Sequence, residues 1–442
     1  ALKNVAFRSN KKIFPFEQFD LKYNRPDKVF KKLELANDKQ TKMYNLAYQK
    51  RLKKAGFTEE MLGSDFHLPV AEVKNKYALP LVKYDDTLGF YVKASDNLYG
   101  LSRINVYVND VAVYGSEGMA LAGKPKQLNK KLNLVLSTGL NHIQVSVTNE
   151  KGVESMREAF DVNCEMEKKP DLYMLVIGVS EFGEQGHNLK YAAKDATDLA
   201  NAFRNSTRFG KVVIKEIKNT EATKENILKE AGMFEKSKED DLVILHMSTH
   251  GVMDENMDYY LATHDMAFVK PAERGLPYTE LEKAMEKAPS RNRLMLVDAC
   301  HSGEVDKEEI ELAHNTSILD NKNVKLVTRS GNYGVAPRLG LNNSFAYMQA
   351  LFDDVSKGMG ATVIAAAGGM EYALESAEWN NGVFTYAVLS GLKDNSADYN
   401  RDGIIRIDEL KGYVTNRVVE LTAGRQVPNA RKENLNNNFI IK

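Results

Sequence analysis

Apolar and polar residues alternate in three different ways along the 442-residue chain. Residues 1–76 are rich in charge and carry Leu, Ala and Lys at helical spacing, which predicts a segment of amphipathic helices. Residues 77–166 alternate apolar with polar at a period of two, as in Phe90-Tyr-Val-Lys-Ala94, and turn residues separate the runs. Residues 170–442 contain continuous apolar runs between helical stretches. The pattern therefore predicts three parts.

The second and third parts are predicted to differ in fold class. Short alternating runs at regular intervals are typical of an all-β immunoglobulin-like sandwich, which we predict for residues 77–166. Apolar runs such as Leu172-Tyr-Met-Leu-Val-Ile177 suit strands that are buried on both faces. Their alternation with helices predicts an α/β domain with a mostly parallel sheet flanked by helices. We expect Asn438-Phe-Ile-Ile-Lys442 to be its last strand.

Two of the apolar runs end in residues that carry chemistry. Leu294-Met-Leu-Val-Asp-Ala-Cys300 ends in a thiol, and Leu242-Val-Ile-Leu-His-Met-Ser-Thr-His250 ends in an imidazole. Neighbouring parallel strands present such residues at the same edge of a sheet, so we expect a Cys/His pair. His246 lies on the same side of its strand as His250 and competes with it, but only His250 precedes a glycine. A cysteine at the end of a core strand is, by itself, about as often a buried structural thiol.

The residues around this pair resemble a known family. Ser-Thr-His250-Gly251 and Asp-Ala-Cys300-His-Ser-Gly, with about fifty residues between His and Cys, resemble the caspase-like cysteine peptidases, specifically their metacaspase and bacterial branch. The resemblance covers roughly residues 171–442 and implies a six-stranded sheet. It also implies that Cys300 is the nucleophile, that His250 moves the proton, and that the backbone N–H groups of Gly251 and Cys300 bind the oxyanion.

Acidic residues near Cys300 bear on specificity. Asp298 lies two residues before the nucleophile on the same strand face, and a buried carboxylate is neutralised by a basic substrate side chain. Similar metacaspases cleave after Arg or Lys, so we predict protein or peptide substrates with these residues. Glu371 or Glu375 is predicted as a second pocket acid, although many relatives carry an Asp nearer the strand end. Asp195 matches a family position that faces the site. Two plainer roles remain open, a backbone hydrogen bond for Asp298 and a helix-dipole contact for Asp195.

Self-processing is a further expectation from the resemblance. The segment 304–343 has little periodicity, and family members are cut in this region as they mature. An enzyme specific for basic residues would find Lys322, Lys325 and Arg329 there. The same composition is also that of an ordinary exposed loop.

A stretch near the C-terminus matches a calcium-binding pattern. Asp398, Asn400, Asp402 and Glu409 stand at positions one, three, five and twelve of an EF-hand loop, and a glycine stands at position six. Ile404 would contribute its backbone carbonyl. These oxygen ligands suit Ca²⁺, so we predict one calcium site. The alternative is a polar turn that caps the following helix.

Composition limits the partners and the compartment. Acidic and basic residues number 60 each, so no global field attracts nucleic acid, and no run of about eighteen apolar residues predicts a membrane span. Cys164 and Cys300 are both expected to be free thiols, which favours a reducing, cytoplasmic location, with a periplasmic or secreted one left open. Because the chain begins at Ala1 without an initiator Met, we expect it to be part of a longer protein. The sandwich is expected to hold the catalytic domain; the alternative is a regulatory partner that binds through the sandwich or through that missing region.

Two other functions compete with a peptidase specific for Arg or Lys. One is a catalytically silent scaffold that keeps the fold and recruits protein partners. The other is a peptidase that cleaves after Asp, as animal caspases do.

Overall fold

The computed structural model describes residues 6–9, 12–63, 67–254, 256, 258–299, 327–328, 360–366, 373–431 and 437–442. The described residues form two compact units. The first contains the residues up to Lys168 together with Gly360, and the second contains the residues from Lys169 onwards except Gly360. Among the described residues, no helix is long and apolar enough to cross a membrane.

The first unit opens with a small hairpin and helices. Its elements are β1 (Ala6–Ser9), β2 (Lys12–Pro15), α1 (Asp20–Tyr23), α2 (Pro26–Lys32) and α3 (Asp38–Lys54). α3 begins at a capping box, in which Asn37 and Gln40 each accept a hydrogen bond from the other's backbone N–H. The predicted amphipathic helices are therefore present, accompanied by a hairpin that the composition did not indicate.

Two antiparallel sheets follow in the first unit. One has the order β3–β5–β9, and the other has the order β4–β11–β10–β6–β7 with β8 beside β6. Their bounds are β3 (Val70–Lys74), β4 (Val82–Lys83), β5 (Thr87–Ser95), β6 (Leu101–Val108), β7 (Val111–Ala112), β8 (Met119–Ala120), β9 (Gln127–Val135), β10 (Gly139–Asn149) and β11 (Glu158–Cys164). β4 pairs with β11 in parallel and every other pair is antiparallel.

Alternation along β5 confirms the period of two. Leu88, Phe90, Val92 and Ala94 are buried while the residues between them are exposed. Side chains of both sheets, including Val145 of β10, form one buried cluster. β3 begins at Val70, before the predicted boundary at residue 77, and it pairs with β5 along its whole length.

The second unit is built on a six-stranded sheet with the order β13–β12–β14–β18–β20–β23. The first five strands are parallel and β23 is antiparallel to β20. The elements up to the fourth strand are β12 (Leu172–Gly178), α4 (Ala192–Arg204), β13 (Val212–Lys218), α5 (Lys224–Ala231), β14 (Leu242–Ser248), β15 (Gly251–Met253), β16 (Tyr259–Leu261), α6 (Pro271–Arg274), β17 (Leu276–Pro277), α7 (Tyr278–Glu286) and β18 (Asn292–Asp298). The remaining described elements are β19 (Val327–Thr328), β20 (Thr362–Ala365), β21 (Leu374–Ser376), β22 (Asn381–Gly382), α8 (Val383–Lys393), α9 (Ile407–Leu421) and β23 (Asn429–Arg431).

Helices cover the sheet because its central strands are apolar on both sides. Every residue of β12 and of β14 is buried. Helices α4, α8 and α9 share one buried cluster with alternate residues of the strands. α5 contacts α7 and β12, and neither α5 nor α7 contributes to that cluster. The predicted mostly parallel sheet flanked by helices is confirmed.

The sixth strand is not the one that the sequence predicted. Residues 438–442 were expected to complete the sheet, but β23 takes the place beside β20. The last residues instead pair with the residues just before α9. The Ile441 N–H donates to the Ile405 carbonyl, and Ile440 forms an isolated bridge with Arg406. A short apolar run can pair with β20 or with the residues before α9. The sequence pattern alone therefore does not predict which of the two it contacts.

Candidate active site

The ends of two central strands define the site. β14 and β18 run parallel in a register that pairs Ser248 with Asp298, and the Thr249 N–H donates to the Asp298 carbonyl at 3.2 Å. His250 and Cys300 each follow that pair by two positions. After β18 the structure describes Ala299, which is buried, and Cys300 lies outside the described residues. The predicted adjacency of the two strand ends is therefore present.

His250 is held in one orientation by a backbone carbonyl. Its side chain is nearly buried, and its Nε2 lies 2.7 Å from the carbonyl oxygen of His187. A carbonyl only accepts, so Nε2 carries a hydrogen and Nδ1 is the basic nitrogen of the neutral ring. The rings of Phe182 and Phe268 lie 5.2 and 5.7 Å from the imidazole. The ring is thus fixed with a defined tautomer.

The loop that supplies this carbonyl is itself anchored. The ring of His187 stacks on Phe268 with 3.9 Å between centroids, and its Nε2 lies 3.5 Å from Glu184 Oε1. The other carboxylate oxygen of Glu184 accepts a hydrogen bond from the Phe268 N–H at 3.0 Å. The contacts of the His187 ring and of Glu184 therefore fix the loop that carries the His187 carbonyl.

Gly251 begins the hairpin that follows His250. It pairs with Leu261, and the His250 carbonyl accepts a hydrogen bond from the Ala262 N–H at 2.8 Å. Gly251 thus stands directly beside the imidazole on a fixed backbone. Its predicted role as an oxyanion donor stays a prediction.

Asp298 is fully buried and contacts helix α8. Its Oδ2 accepts hydrogen bonds from the hydroxyl of Thr385 at 2.6 Å and from the Thr385 N–H at 3.3 Å. His246 approaches the same hydroxyl, with 3.3 Å between Nε2 and Oγ1. The structure thus separates the two candidate histidines, because His246 faces α8 while His250 faces the loop that carries His187.

Asp195 is a second fully buried acid at this edge. Its Oδ2 accepts a hydrogen bond from the Ser248 hydroxyl at 2.9 Å. Its Oδ1 accepts from the Asn381 amide and from the Gly382 N–H, both at 3.0 Å. Ser248 is the register partner of Asp298, so both predicted acids meet the same pair of strand ends.

Glu375 is buried and faces backbone donors. Its two carboxylate oxygens accept hydrogen bonds from the N–H groups of Lys190 and Tyr191, at 3.0 and 3.4 Å. These residues immediately precede α4 and lie in the loop that carries His187. Glu371 lies outside the described residues, as does the segment 304–343 apart from Val327 and Thr328.

The predicted calcium loop is held by hydrogen bonds from its own backbone N–H groups to its side chains. Asp398 accepts hydrogen bonds from the N–H groups of Asp402 and Gly403, and Asn400 also accepts from Asp402. Asp402 accepts from the Ile404 N–H. Gly403 has a φ of +81°, which a residue with a side chain rarely adopts.

Two side chains of this loop have other partners. Arg406 forms an ion pair of 2.6 Å with Asp402 and lowers the pKa of that carboxyl. Glu409 accepts a hydrogen bond from the Arg406 N–H at 3.0 Å and so caps α9. In the part of the chain that the structure describes, no three His, Cys, Asp or Glu side chains group closely enough to hold a metal ion.

Several residues of the site were missed by sequence reasoning. Ser248 lies two positions before His250 on the same strand face, so the alternation could have pointed to it. Thr385 and Asn381 come from elements far along the chain, and His187 contributes only its carbonyl. Nothing in the residue types signals those three roles.

The comparisons with known proteins decide the family. The family model described as Caspase domain matches residues 172–440, which is more than half of the chain. The chain belongs to the caspase-domain family. Membership of this family supports, at a general level, a cysteine peptidase.

Other comparisons of the caspase-domain chain add less. None of the curated proteins matches it. Among solved structures, it is similar to the crystal structure of protein GSU0716 from Geobacter sulfurreducens, with 17% identity and a TM-score of 0.38. That match covers 59% of this chain and 93% of the other. A likeness of this degree carries no argument about function.

Proposed function

We propose that the chain is a cysteine endopeptidase of the metacaspase-like branch that hydrolyses peptide bonds after Arg or Lys. The observation that supports this most is the pairing of Ser248 with Asp298, which sets the strand ends of His250 and Cys300 side by side. The hydrogen bond from His250 Nε2 to the His187 carbonyl adds to it, because it leaves Nδ1 as the nitrogen that takes a proton.

The proposed reaction uses these groups in a fixed order. The thiol proton of Cys300 passes to Nδ1 of His250, and the thiolate attacks the scissile carbonyl carbon. The backbone N–H groups of Gly251 and Cys300 stabilise the oxyanion. His250 then protonates the leaving amine, and water hydrolyses the thioester with His250 as the base. Cys300 is regenerated as a thiol.

The proposed specificity rests on two buried acids at one edge of the sheet. Asp298 and Asp195 are both fully buried, and the hydrogen-bond donors described for them include hydroxyl, amide and N–H groups. Buried carboxylates in such surroundings favour a cationic ligand. A guanidinium or ammonium group of the substrate meets that requirement. Glu375 remains a candidate for this pocket, with its carboxylate directed at the backbone of Lys190 and Tyr191.

Peptide reporters that end in Arg, Lys or Asp test this proposal. The Arg and Lys reporters are expected to turn over, and Cys300→Ala is expected to abolish turnover. Asp298→Asn keeps an acceptor for Thr385 but removes the charge. It should lower kcat/KM for basic reporters roughly 10- to 100-fold, the value of a hydrogen bond to a charged group.

The outcomes of this assay separate the alternatives. Turnover of the Asp reporter alone would establish an Asp-specific peptidase. No turnover of any reporter, with or without calcium, would contradict the peptidase proposal and support a silent scaffold. Mass spectrometry of the purified chain checks self-processing, for which we expect cleavage between residues 304 and 343 in the parent and an intact chain in Cys300→Ala.

We also propose that the loop containing Asp398 binds one calcium ion. Asp398, Asn400, Asp402 and Glu409 would supply side-chain oxygens and Ile404 its carbonyl, as their spacing in the sequence matches an EF-hand loop. Binding requires Glu409 to leave the helix cap and Arg406 to leave Asp402.

Calorimetric titration with Ca²⁺, and with Mg²⁺ as the control ion, measures this binding directly. Arg406→Gln removes a competing cation from Asp402, so calcium should bind more tightly, by up to about fivefold. Glu409→Gln should weaken binding. Equal affinity of the parent chain for both ions, or no heat with either, would contradict the calcium proposal.

For the first unit we propose an immunoglobulin-like sandwich that supports the caspase domain. The shared buried cluster of its two sheets favours this arrangement. Tyr77, Leu81 and Tyr84 are the best candidates for a partner contact, since they are 97%, 79% and 77% exposed. If the unit is only a support, replacing these three residues by Ser should leave reporter turnover unchanged. A partner whose capture depends on them would show a recruiting role instead.

A further inference from the structure

His246 and Thr385 form a buried chain with Asp298 that the proposed reaction does not use. His246 and Asp298 are 0% exposed and Thr385 is 1% exposed. The chain runs from His246 Nε2 to Thr385 Oγ1 at 3.3 Å and from that hydroxyl to Asp298 Oδ2 at 2.6 Å. The three groups come from β14, α8 and β18, so only the folded sheet brings them together.

The direction of the hydrogen bonds in this chain is determined by chemistry. An ionised carboxylate only accepts, and a threonine hydroxyl has one hydrogen, so Thr385 donates to Asp298. The hydroxyl must therefore accept from His246, which requires a hydrogen on Nε2. The chain is thus polarised towards Asp298 and favours its ionised form.

Helix α8 acts on Asp298 in the same direction. Thr385 is the third residue of α8, and its N–H also donates to Asp298 Oδ2. The N-terminus of a helix carries a partial positive charge that stabilises a nearby anion. Two hydrogen bonds and the helix end therefore hold one oxygen of Asp298 and determine where the carboxylate points.

We propose that His246 and Thr385 are positioning residues, which fix Asp298 in the orientation and charge state that a basic substrate side chain requires. This inference rests on the proposed specificity for Arg and Lys. His246 thus has a different role from His250, acting on recognition and not on proton transfer.

Matched variants test the chain one link at a time. Thr385→Val keeps the shape of the side chain but removes the hydroxyl, and should lower kcat/KM for Arg and Lys reporters about tenfold or more. Thr385→Ser should restore most of that loss. His246→Gln keeps an N–H donor and His246→Phe does not, so only the second should lower kcat/KM for basic reporters.

A second readout separates positioning from damage to the fold. The rate at which iodoacetamide alkylates Cys300 does not require the basic pocket, so it should be unchanged in Thr385→Val and His246→Phe. Equal losses of alkylation and of turnover would overturn the proposal. So would a Thr385→Ser variant that is as impaired as Thr385→Val.

Binding of agmatine, a small guanidinium ligand, keeps this test distinct from the test of activity. Calorimetry with the Cys300→Ala chain needs no catalysis. We expect Thr385→Val to weaken agmatine binding about tenfold and Thr385→Ser to restore it. This result would support the positioning role even if no reporter were cleaved. Binding that is unaffected by either variant, or is absent in the parent chain, would overturn it.

Discussion

Replacing Glu375 should impair His250, the proposed catalytic base, from a distance. Glu375 accepts hydrogen bonds from the N–H groups of Lys190 and Tyr191, and the same loop presents the His187 carbonyl to His250. The carboxylate therefore fixes the far end of the segment that orients the imidazole. Glu375→Ala removes both contacts, whereas Glu375→Gln keeps the shape but puts an amide N–H₂ group in place of one acceptor.

The magnitudes follow from burial and charge. A hydrogen bond to a charged group contributes about 1.5–3 kcal/mol, and the 3.4 Å contact to Tyr191 counts at the low end. Because Glu375 is buried, Glu375→Ala should lower the free energy of unfolding by roughly 2–4 kcal/mol and Glu375→Gln by about half of that. A displacement of about 1 Å at a catalytic group can cost about a hundredfold in rate. We expect kcat to fall about a hundredfold in Glu375→Ala and about tenfold in Glu375→Gln.

Steady-state kinetics with an Arg reporter, together with thermal melting, test this prediction. KM should change little, because the loop positions the base and not the substrate side chain. Glu378→Gln is the matched control, since Glu378 is an exposed acid three residues further along and should alter neither kcat nor melting. If Glu375→Gln melts at a lower temperature but retains the parent kcat, the loop does not position His250 and the reasoning is refuted. A rise in KM with unchanged kcat would instead place Glu375 in the substrate pocket.

Three further predictions concern stability. Leu296→Ala should lower the free energy of unfolding by about 2–5 kcal/mol in denaturant titrations, because Leu296 is buried in the sheet core. Burial raises the pKa of Asp27, but hydrogen bonds from Arg25 and Asn45 outweigh it and hold the pKa at about 2, below the ordinary 3.8. The stabilisation is therefore complete above pH 3.8 and is lost as the pH falls towards 2. Asp27→Asn should remove that part of the acid transition followed by circular dichroism. Thr223→Ala should cost about 1 kcal/mol in the same denaturant titrations, because the Thr223 hydroxyl accepts from the Asn226 N–H at the start of α5.

The strands and the family were accessible from the sequence because their signals are local. Runs such as residues 172–177 are apolar at every position, and only a strand covered on both faces buries all of them. Alternation from Leu88 to Ala94 likewise determined which face of β5 is buried. The spacing of His250 and Cys300 pointed to two strand ends on one edge, and the observed register agrees with it.

The composition of the site was decided by tertiary structure. His246 and His250 are equivalent by alternation, and only the positions of Thr385 and the His187 carbonyl distinguish them. Glu375 was predicted as a pocket acid, and only the fold showed that its carboxylate accepts from two backbone N–H groups. Those partners lie between 63 and 185 residues away along the chain, so no local pattern encodes them.

Sequence by itself therefore determined which residues lie inside and which strand ends meet at one edge of the sheet, because burial and periodicity depend on near neighbours. Tertiary structure alone decided how each buried polar group is satisfied, and with it the tautomer of His250 and the orientation of Asp298. A hydrogen bond requires a donor and an acceptor within about 3 Å, and only the packed sheet and helices bring the partners of these groups to that distance.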